Sequence, residues 1–230
     1  MLAARCARRV YVQATKRAFG TAGRVYPSKA YTDASSSGSP TAGTSGTPQD
    51  LTSEEKRVLD AALRVDQAGE VAANYIYMGQ LAVLGRDRVC GPLIQEMWDQ
   101  EKKHLSVMNK LQVQHNVRPT ILTEVAKIAG FGLGAVTALM SKEAAMACTE
   151  AVETVIGEHY DDQLRDLNAM KTDHTSIPLL KKVIEEFRDD ELEHLDTAVE
   201  HNSQRAPAHA LLSTIVGDGC KVAIALCKRV

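Results

Sequence analysis

The chain has 230 residues, of which 44% are hydrophobic and 4% aromatic, and its formal net charge is -2. Setting aside the seven basic residues of positions 1–32 leaves residues 33–230 at -9, and no basic patch with interleaved aromatics appears, which argues against a nucleic-acid partner. Five cysteines (Cys6, Cys90, Cys148, Cys220, Cys227) form no C-x-x-C pair, which argues against a disulfide framework or thiolate cluster and fits a reducing compartment.

Residues 1–32 carry Arg5, Arg8, Arg9, Lys16, Arg17, Arg24 and Lys29 but no acid, with scattered apolar residues and no continuous apolar core. That is the make-up of a mitochondrial targeting segment. Residues 33–50 include the stretch SSSGSPTAGTSGTP, which cannot bury enough apolar surface to offset the entropy of ordering, and are expected to be a disordered linker. The folded domain is therefore expected over 51–230, long enough for one substantial core.

Thr52 or Ser53, followed by Glu54 and Glu55, predicts a helix start, and Val58, Leu59, Ala62, Leu63 and Val65 continue at a period near 3.6 as far as Leu84 and Gly85. A second helix follows Gly91-Pro92, runs through Ile94, Met97, Trp98, Met108 and Leu111, and breaks over 114–119. Residues 119–146 form a long connection. Within it 128–141 (IAGFGLGAVTALMS) carry no charge, a run too short to cross a bilayer, where roughly 20 residues are needed. Its apolar surface fits a core, a contact between copies in a homo-oligomer, or a membrane interface. A third helix is expected over 147–170, and a fourth from about Pro178 until 204–207. The segment 208–230 should form two short helices or one kinked helix, divided at Gly217 and Gly219.

A repeated heptapeptide is the sharpest feature: residues 99–105 read DQEKKHL and 189–195 read DDELEHL. Each holds Glu-x-x-His, as Glu101/His104 and Glu191/His194, and a spacing of three puts both side chains on one helix face. Glu70 precedes the first motif and Glu153 the second. Each lies among small or apolar neighbours, where a carboxylate is costly unless paired or bound to a cation. A tyrosine follows each by seven residues, Tyr77 and Tyr160.

Two helices that each donate Glu and two that each donate Glu-x-x-His describe an all-α, ferritin-like four-helix bundle with a long apolar crossover. An additional helical segment lies at its C-terminal end. Four carboxylates and two imidazoles suit iron or manganese, and four negative charges match two divalent ions. Glu70, Glu101 and His104 are assigned mainly to one ion and Glu153, Glu191 and His194 to the other, with Glu101 and Glu191 as bridges. Asp189 is expected to support His104 from the facing helix, and Asp99 to support His194. His159 and Tyr160 are candidate catalytic residues that carry protons or electrons, with packed, hydrogen-bonded aromatics as the alternative. Cys148 reads as packing.

The blocks RVDQAGEVAANYIYMGQLAVLG (64–85), MWDQEKKHL (97–105), FGLGAVTALMSKEAAMACTEAVE (131–153), FRDDELEHLD (187–196) and GCKVAI (219–224) carry a further meaning. In these the chain resembles the mitochondrial demethoxyubiquinone hydroxylase family, di-iron enzymes of ubiquinone biosynthesis. The resemblance implies metal ligands at the same six positions, two iron ions, molecular oxygen as co-substrate and electrons ultimately from NADH. It implies a polyprenylated quinone substrate and peripheral attachment to the matrix side of the mitochondrial inner membrane. It further implies a lipid-binding partner protein and other components of a ubiquinone biosynthesis complex. The chain departs from the family at Gln67, commonly a histidine, and at Ala225, a tyrosine in some relatives. Related alternatives are a di-iron quinol oxidase, which yields water without hydroxylation, an iron-storage shell and a lipid-binding scaffold.

Overall fold

The computed structural model describes Ala30, residues 51–171 and residues 176–230. The expected linker, and the expected targeting segment apart from Ala30, lie outside the described residues. Among the described residues every regular element is helical: α1 (Ser53–Leu84), α2 (Cys90–Gln114), α3 (Thr123–Met140), α4 (Lys142–Ala169), α5 (Ser176–Glu200), a single 3-10 turn (Ser203–Arg205) and α6 (His209–Cys227).

The helix starts follow from local chemistry. Thr52 caps α1 in a reciprocal box, its hydroxyl accepting from the Glu55 amide at 3.2 Å while Glu55 Oε2 accepts from the Thr52 amide at 2.9 Å. Asp87 Oδ1 accepts from the Val89 and Cys90 amides, both at 2.9 Å, and so opens α2. Ser141 is extended; it closes α3, and its hydroxyl accepts from the Ala144 amide to open α4.

Helices α1, α2, α4 and α5 form the bundle. One apolar cluster, with Leu59, Leu63, Met108, Leu111, Ile184 and Phe187, fills one end; a second, with Tyr77, Ile94, Met97, Met146 and Ala198, fills the other. The charged residues of the two Glu-x-x-His motifs lie along the chain between the residues of these clusters.

Three sequence expectations need correction. The long connection is itself an 18-residue helix, α3, and α4 begins at Lys142 rather than at 147. By length and composition both α3 and α6 reach what a membrane-crossing helix needs, although the uncharged run inside α3 is shorter. Residues 209–227 form one continuous helix in place of two short ones, because packing of Leu212, Val216 and Cys220 on α4 outweighs the local propensity cost of Gly217 and Gly219.

α3 crosses α1 at backbone distance. A Cβ on Gly134 would lie 2.0 Å from the Ile76 carbonyl oxygen, one on Gly79 2.3 Å from that of Phe131, and one on Gly130 2.7 Å from that of Ala72. α6 packs Leu212, Val216 and Cys220 against Cys148, Ala151 and Val152 of α4, and Ile224 and Cys227 against Val65 and Ala68 of α1. His209 Nε2 lies 2.9 Å from Glu150 Oε2 and fastens the start of α6 to α4. Both added helices thus cover the α1/α4 side. Their outer faces expose Ile128 (77%), Leu139 (73%), Leu211 (61%) and Ile215 (62%).

Gly134→Ala should destabilise the fold by about 1–3 kcal/mol, since the neighbour it meets is backbone and cannot rotate away. Gly132, whose added Cβ meets nothing within 4 Å, provides the control. Gly132→Ala should stabilise by up to about 1 kcal/mol through helix propensity. Urea unfolding of both variants checks the opposite signs.

Candidate metal centre

Glu70 comes from α1, Glu101 and His104 from α2, Glu153 from α4, and Glu191 and His194 from α5. The fold brings all six together, none more than 3% exposed. Their ligating atoms form two overlapping groups, Glu70/Glu101/His104/Glu191 and Glu101/Glu153/Glu191/His194, each within 4.8 Å throughout. Glu101 and Glu191 belong to both groups, the position a bridging carboxylate occupies.

The histidine rings are aimed by their outer nitrogens. His104 Nε2 donates to Asp190 Oδ2 at 2.9 Å, and His194 Nε2 donates to Gln100 Oε1 at 2.8 Å. Because an ionised carboxylate and an amide oxygen only accept, Nε2 carries a proton, and Nδ1 is turned into the cluster, where it offers its lone pair to an ion or, without one, holds a second proton against the carboxylates. His104 Nδ1 lies 3.2 Å from Glu191 Oε1 and 3.7 Å from Glu70 Oε2; His194 Nδ1 lies 3.1 Å from Glu191 Oε2 and 3.2 Å from Glu101 Oε1. These partners correct the sequence expectation by one residue on each helix. Asp99 instead accepts from Gln95 at 2.9 Å and pairs with Lys102, and Asp189 pairs with Arg188. One residue is 100° of helical turn, and it is Gln100 and Asp190, each four before the histidine of its own helix, that face across the bundle.

The carboxylates are held from outside. Tyr160 donates to Glu70 Oε1 at 2.6 Å and Tyr77 donates to Glu153 Oε1 at 2.9 Å, so each tyrosine of the repeat reaches the glutamate of the other half. Asn74 Nδ2 donates to the Glu70 and Glu101 carbonyls, both at 2.9 Å, while its Oδ1 accepts from Trp98 Nε1 at 3.1 Å. Asn74, Gln100 and Asp190 were not singled out from sequence. Gln100 and Asp190 carried a signal, since they hold matching positions of the heptapeptide. His159 is placed apart from the six: its Nε2 is 2.8 Å from Gln163 Nε2 and 3.3 Å from Asp66 Oδ1. Gln67 donates to Asn109 at 3.1 Å, joining α1 to α2. Cys148 is fully buried, and burial pushes its thiol up to about 12, in keeping with packing.

The donor set fits metal ions on three grounds. Glu70 Oε2, Glu101 Oε1 and His104 Nδ1 are buried without a hydrogen-bond partner, and all three belong to the clustered groups. A buried acceptor left this way is costly unless a cation meets it. The set is also oxygen and imidazole without thiolate, which suits hard or borderline ions. Electrostatics point the same way. Burial, then the neighbouring acids, pushes Glu153 well above the usual carboxylate range, and burial raises Glu70 and Glu101 as well. For Glu191 burial also acts upward, but His104 and His194 beside it outweigh that and hold the carboxyl down. Burial acts downward on His104 and His194, and their acidic partners override it and raise both. Burial and the adjacent glutamates push the Tyr77 and Tyr160 phenols up, so both remain protonated donors.

Residues 57–227 match the family described as "Ubiquinone biosynthesis protein COQ7". The chain is 52% identical over 174 residues to "NADPH-dependent 3-demethoxyubiquinone 3-hydroxylase, mitochondrial" of Mus musculus, covering 76% of this chain and 79% of the relative. It is 47% identical over 192 residues to "5-demethoxyubiquinone hydroxylase, mitochondrial" of Saccharomyces cerevisiae, covering 79% and 82%. It is 44% identical over 173 residues to "3-demethoxyubiquinol 3-hydroxylase" of Rhodospirillum rubrum, covering 75% and 79%.

A cation that takes the ionised carboxylates and the bare Nδ1 atoms competes with protons, whose hold burial and the neighbouring acids strengthen at Glu70 and Glu153 and the acidic partners strengthen at His104 and His194. Raised values mean more bound protons at a given pH, so ion binding should release protons and tighten as pH rises from about 6 to 8. Calorimetric titration of metal-free protein with manganese(II), in buffers of different ionisation enthalpy, reads both effects. Affinity independent of pH, with no proton release, would contradict this electrostatic picture.

Proposed function

Because the chain belongs to the family of ubiquinone biosynthesis protein COQ7, we propose that it is a di-iron monooxygenase, a 5-demethoxyubiquinone hydroxylase acting on the ring of demethoxyubiquinol. The observation that carries this reading is the convergence of four buried carboxylates and two imidazoles, with unpartnered atoms turned into the cluster. Two iron ions held by Glu70, Glu101, His104, Glu153, Glu191 and His194 supply oxygen activation when bound. In the overall reaction one atom of molecular oxygen enters a ring C–H bond as hydroxyl, and the other leaves as water with two electrons and two protons.

The chain's own residues set the conditions for that chemistry. Asp190 and Gln100 fix the tautomer of the two rings, and Tyr77 and Tyr160 hold Glu153 and Glu70 by one oxygen each. The apolar clusters at both ends of the bundle keep bulk water from the charged layer. Tyr160, whose hydroxyl touches Glu70, and its neighbour His159, facing Asp66, are the groups through which protons or electrons pass. The family resemblance implies NADH as the ultimate reductant, whereas the name of the mouse relative specifies NADPH. A reduced nicotinamide is the donor class we assign.

A polyprenylated substrate needs an apolar approach. The outward faces of α3 and α6 offer one beside α1 and α4, which carry Glu70 and Glu153. On this reading the protein is peripheral to the mitochondrial inner membrane on its matrix side. Its lipid-binding partner protein, further copies of the chain and the biosynthetic complex assemble around the same apolar surface. The mouse and yeast relatives are named as mitochondrial.

Anaerobically reduced, iron-loaded protein given demethoxyubiquinol and labelled dioxygen should yield a quinol whose new hydroxyl carries the label, read by mass spectrometry. Label found in water alone would make the chain a quinol oxidase. Glu191→Ala should abolish hydroxylation and lower bound iron, with helical circular dichroism retained.

Membrane attachment has its own check. Vesicles of phosphatidylcholine, phosphatidylethanolamine and cardiolipin should sediment the protein. The double variant Ile128→Glu, Ile215→Glu should bind at least tenfold more weakly, because each buried isoleucine is worth roughly 1.5–3 kcal/mol. Undiminished sedimentation of that variant would remove the membrane role from these two helices.

A further inference from the structure

The two histidines of the site are matched in sequence and in fold, yet their outer nitrogens meet different chemistry. Asp190 accepts from His104, and Gln100 accepts from His194. Both partners stand one residue before a shared glutamate, so the difference lies in side-chain chemistry and not in backbone placement. An ionised acceptor binds an N–H more strongly than a neutral amide does, and the opposite ring nitrogen becomes the better donor to a metal. Lys103 lies 3.3 Å from Asp190, but it is shared with Glu186 at 3.2 Å, so it offsets only part of that charge. The shorter Tyr160–Glu70 bond draws charge the other way, though only from one oxygen, and Glu70 Oε2 is without a partner.

Resting on the reading of the site as a two-metal centre, we infer that its two positions are unequal: the one served by Glu70 and His104 binds metal first and more tightly, with Asp190 as its positioning residue, and the one served by Glu153 and His194 fills second. Glu101 and Glu191 belong to both groups and favour neither. What separates the positions is their private ligands, and among these the charged support of His104 has no counterpart at His194. His104 is further locked by stacking on Phe187 at 3.9 Å between ring centroids, whereas His194 meets Tyr77 edge-on at 6.1 Å.

The order of filling is read without turnover. Crystals of the full chain grown with one equivalent of manganese(II) should show, by anomalous scattering, occupancy at the His104 position roughly tenfold or more above that at the His194 position. Asp190→Asn should weaken the first step of a calorimetric manganese titration by roughly 10–100-fold and bring the two occupancies level. Gln100→Glu should bring them level from the other side by strengthening the His194 position, with helical circular dichroism unchanged. Equal occupancy in the unaltered protein, or an Asp190→Asn variant that weakens both positions alike, would overturn the inference. Folded protein that takes up no manganese would overturn the two-metal reading beneath it.

Discussion

Four carboxylates that converge in the middle of a helical bundle set the terms for everything around them. Without compensation their mutual repulsion in a low dielectric would open the bundle, because the interaction of like charges a few ångströms apart is many times stronger there than in water. The chain meets this with two imidazoles, two phenol donors and a donor set that can hold cations, and among the described residues no lysine or arginine belongs to the cluster. Lys103, on the His104 side, is held outside on Asp190 and Glu186. An ammonium in the centre would satisfy the charge and occupy the place of a metal.

The supporting bonds run between the two halves of the repeat, not within them. Tyr77 of the first half holds Glu153 of the second, Tyr160 holds Glu70, Asp190 aims His104, and Gln100 aims His194. Neither hairpin can therefore complete its own half of the site. The site forms only when α1 and α2 dock on α4 and α5, so docking and site assembly are one event. A pseudo-twofold arrangement of this kind also confines any asymmetry to side-chain chemistry, which is why one Asp-for-Gln difference carries weight.

Much of this was legible in the residues. The six clustered side chains stood out because Glu-x-x-His forces a shared helix face, and because Glu70 and Glu153 sit where an unpaired acid would be expensive. What was missed turns on quantities that spacing does not hold. The heptapeptide points to Asp99 and Asp189, whereas the partners are Gln100 and Asp190, a difference of one residue that only the facing helix resolves. Glycines misled twice: in 128–141 they hid a full helix, and at Gly217 and Gly219 they implied a break. In both places packing against α1 or α4 supplies the stabilisation that local propensity lacks.

The glycines of α3 also account for the surface that this helix presents. An ordinary surface helix turns its large apolar side chains inward and its polar ones to water. In α3 the inward positions are Gly130, Gly134, Thr137 and Ala138, small enough for the backbone to close on α1. The large side chains Ile128, Val136 and Leu139 are left pointing out. α6 repeats the inversion with Leu211, Ile215 and Val222 exposed and only Val216 and Cys227 buried. Two helices of one chain that reverse the usual pattern on the same flank are not explained by the stability of the isolated bundle, which would favour polar residues there. On the proposed reading an apolar surrounding accounts for them, next to the two helices that carry Glu70 and Glu153. The polyprenylated quinone proposed as substrate, with a reacting ring at one end and a hydrocarbon tail at the other, would use that combination.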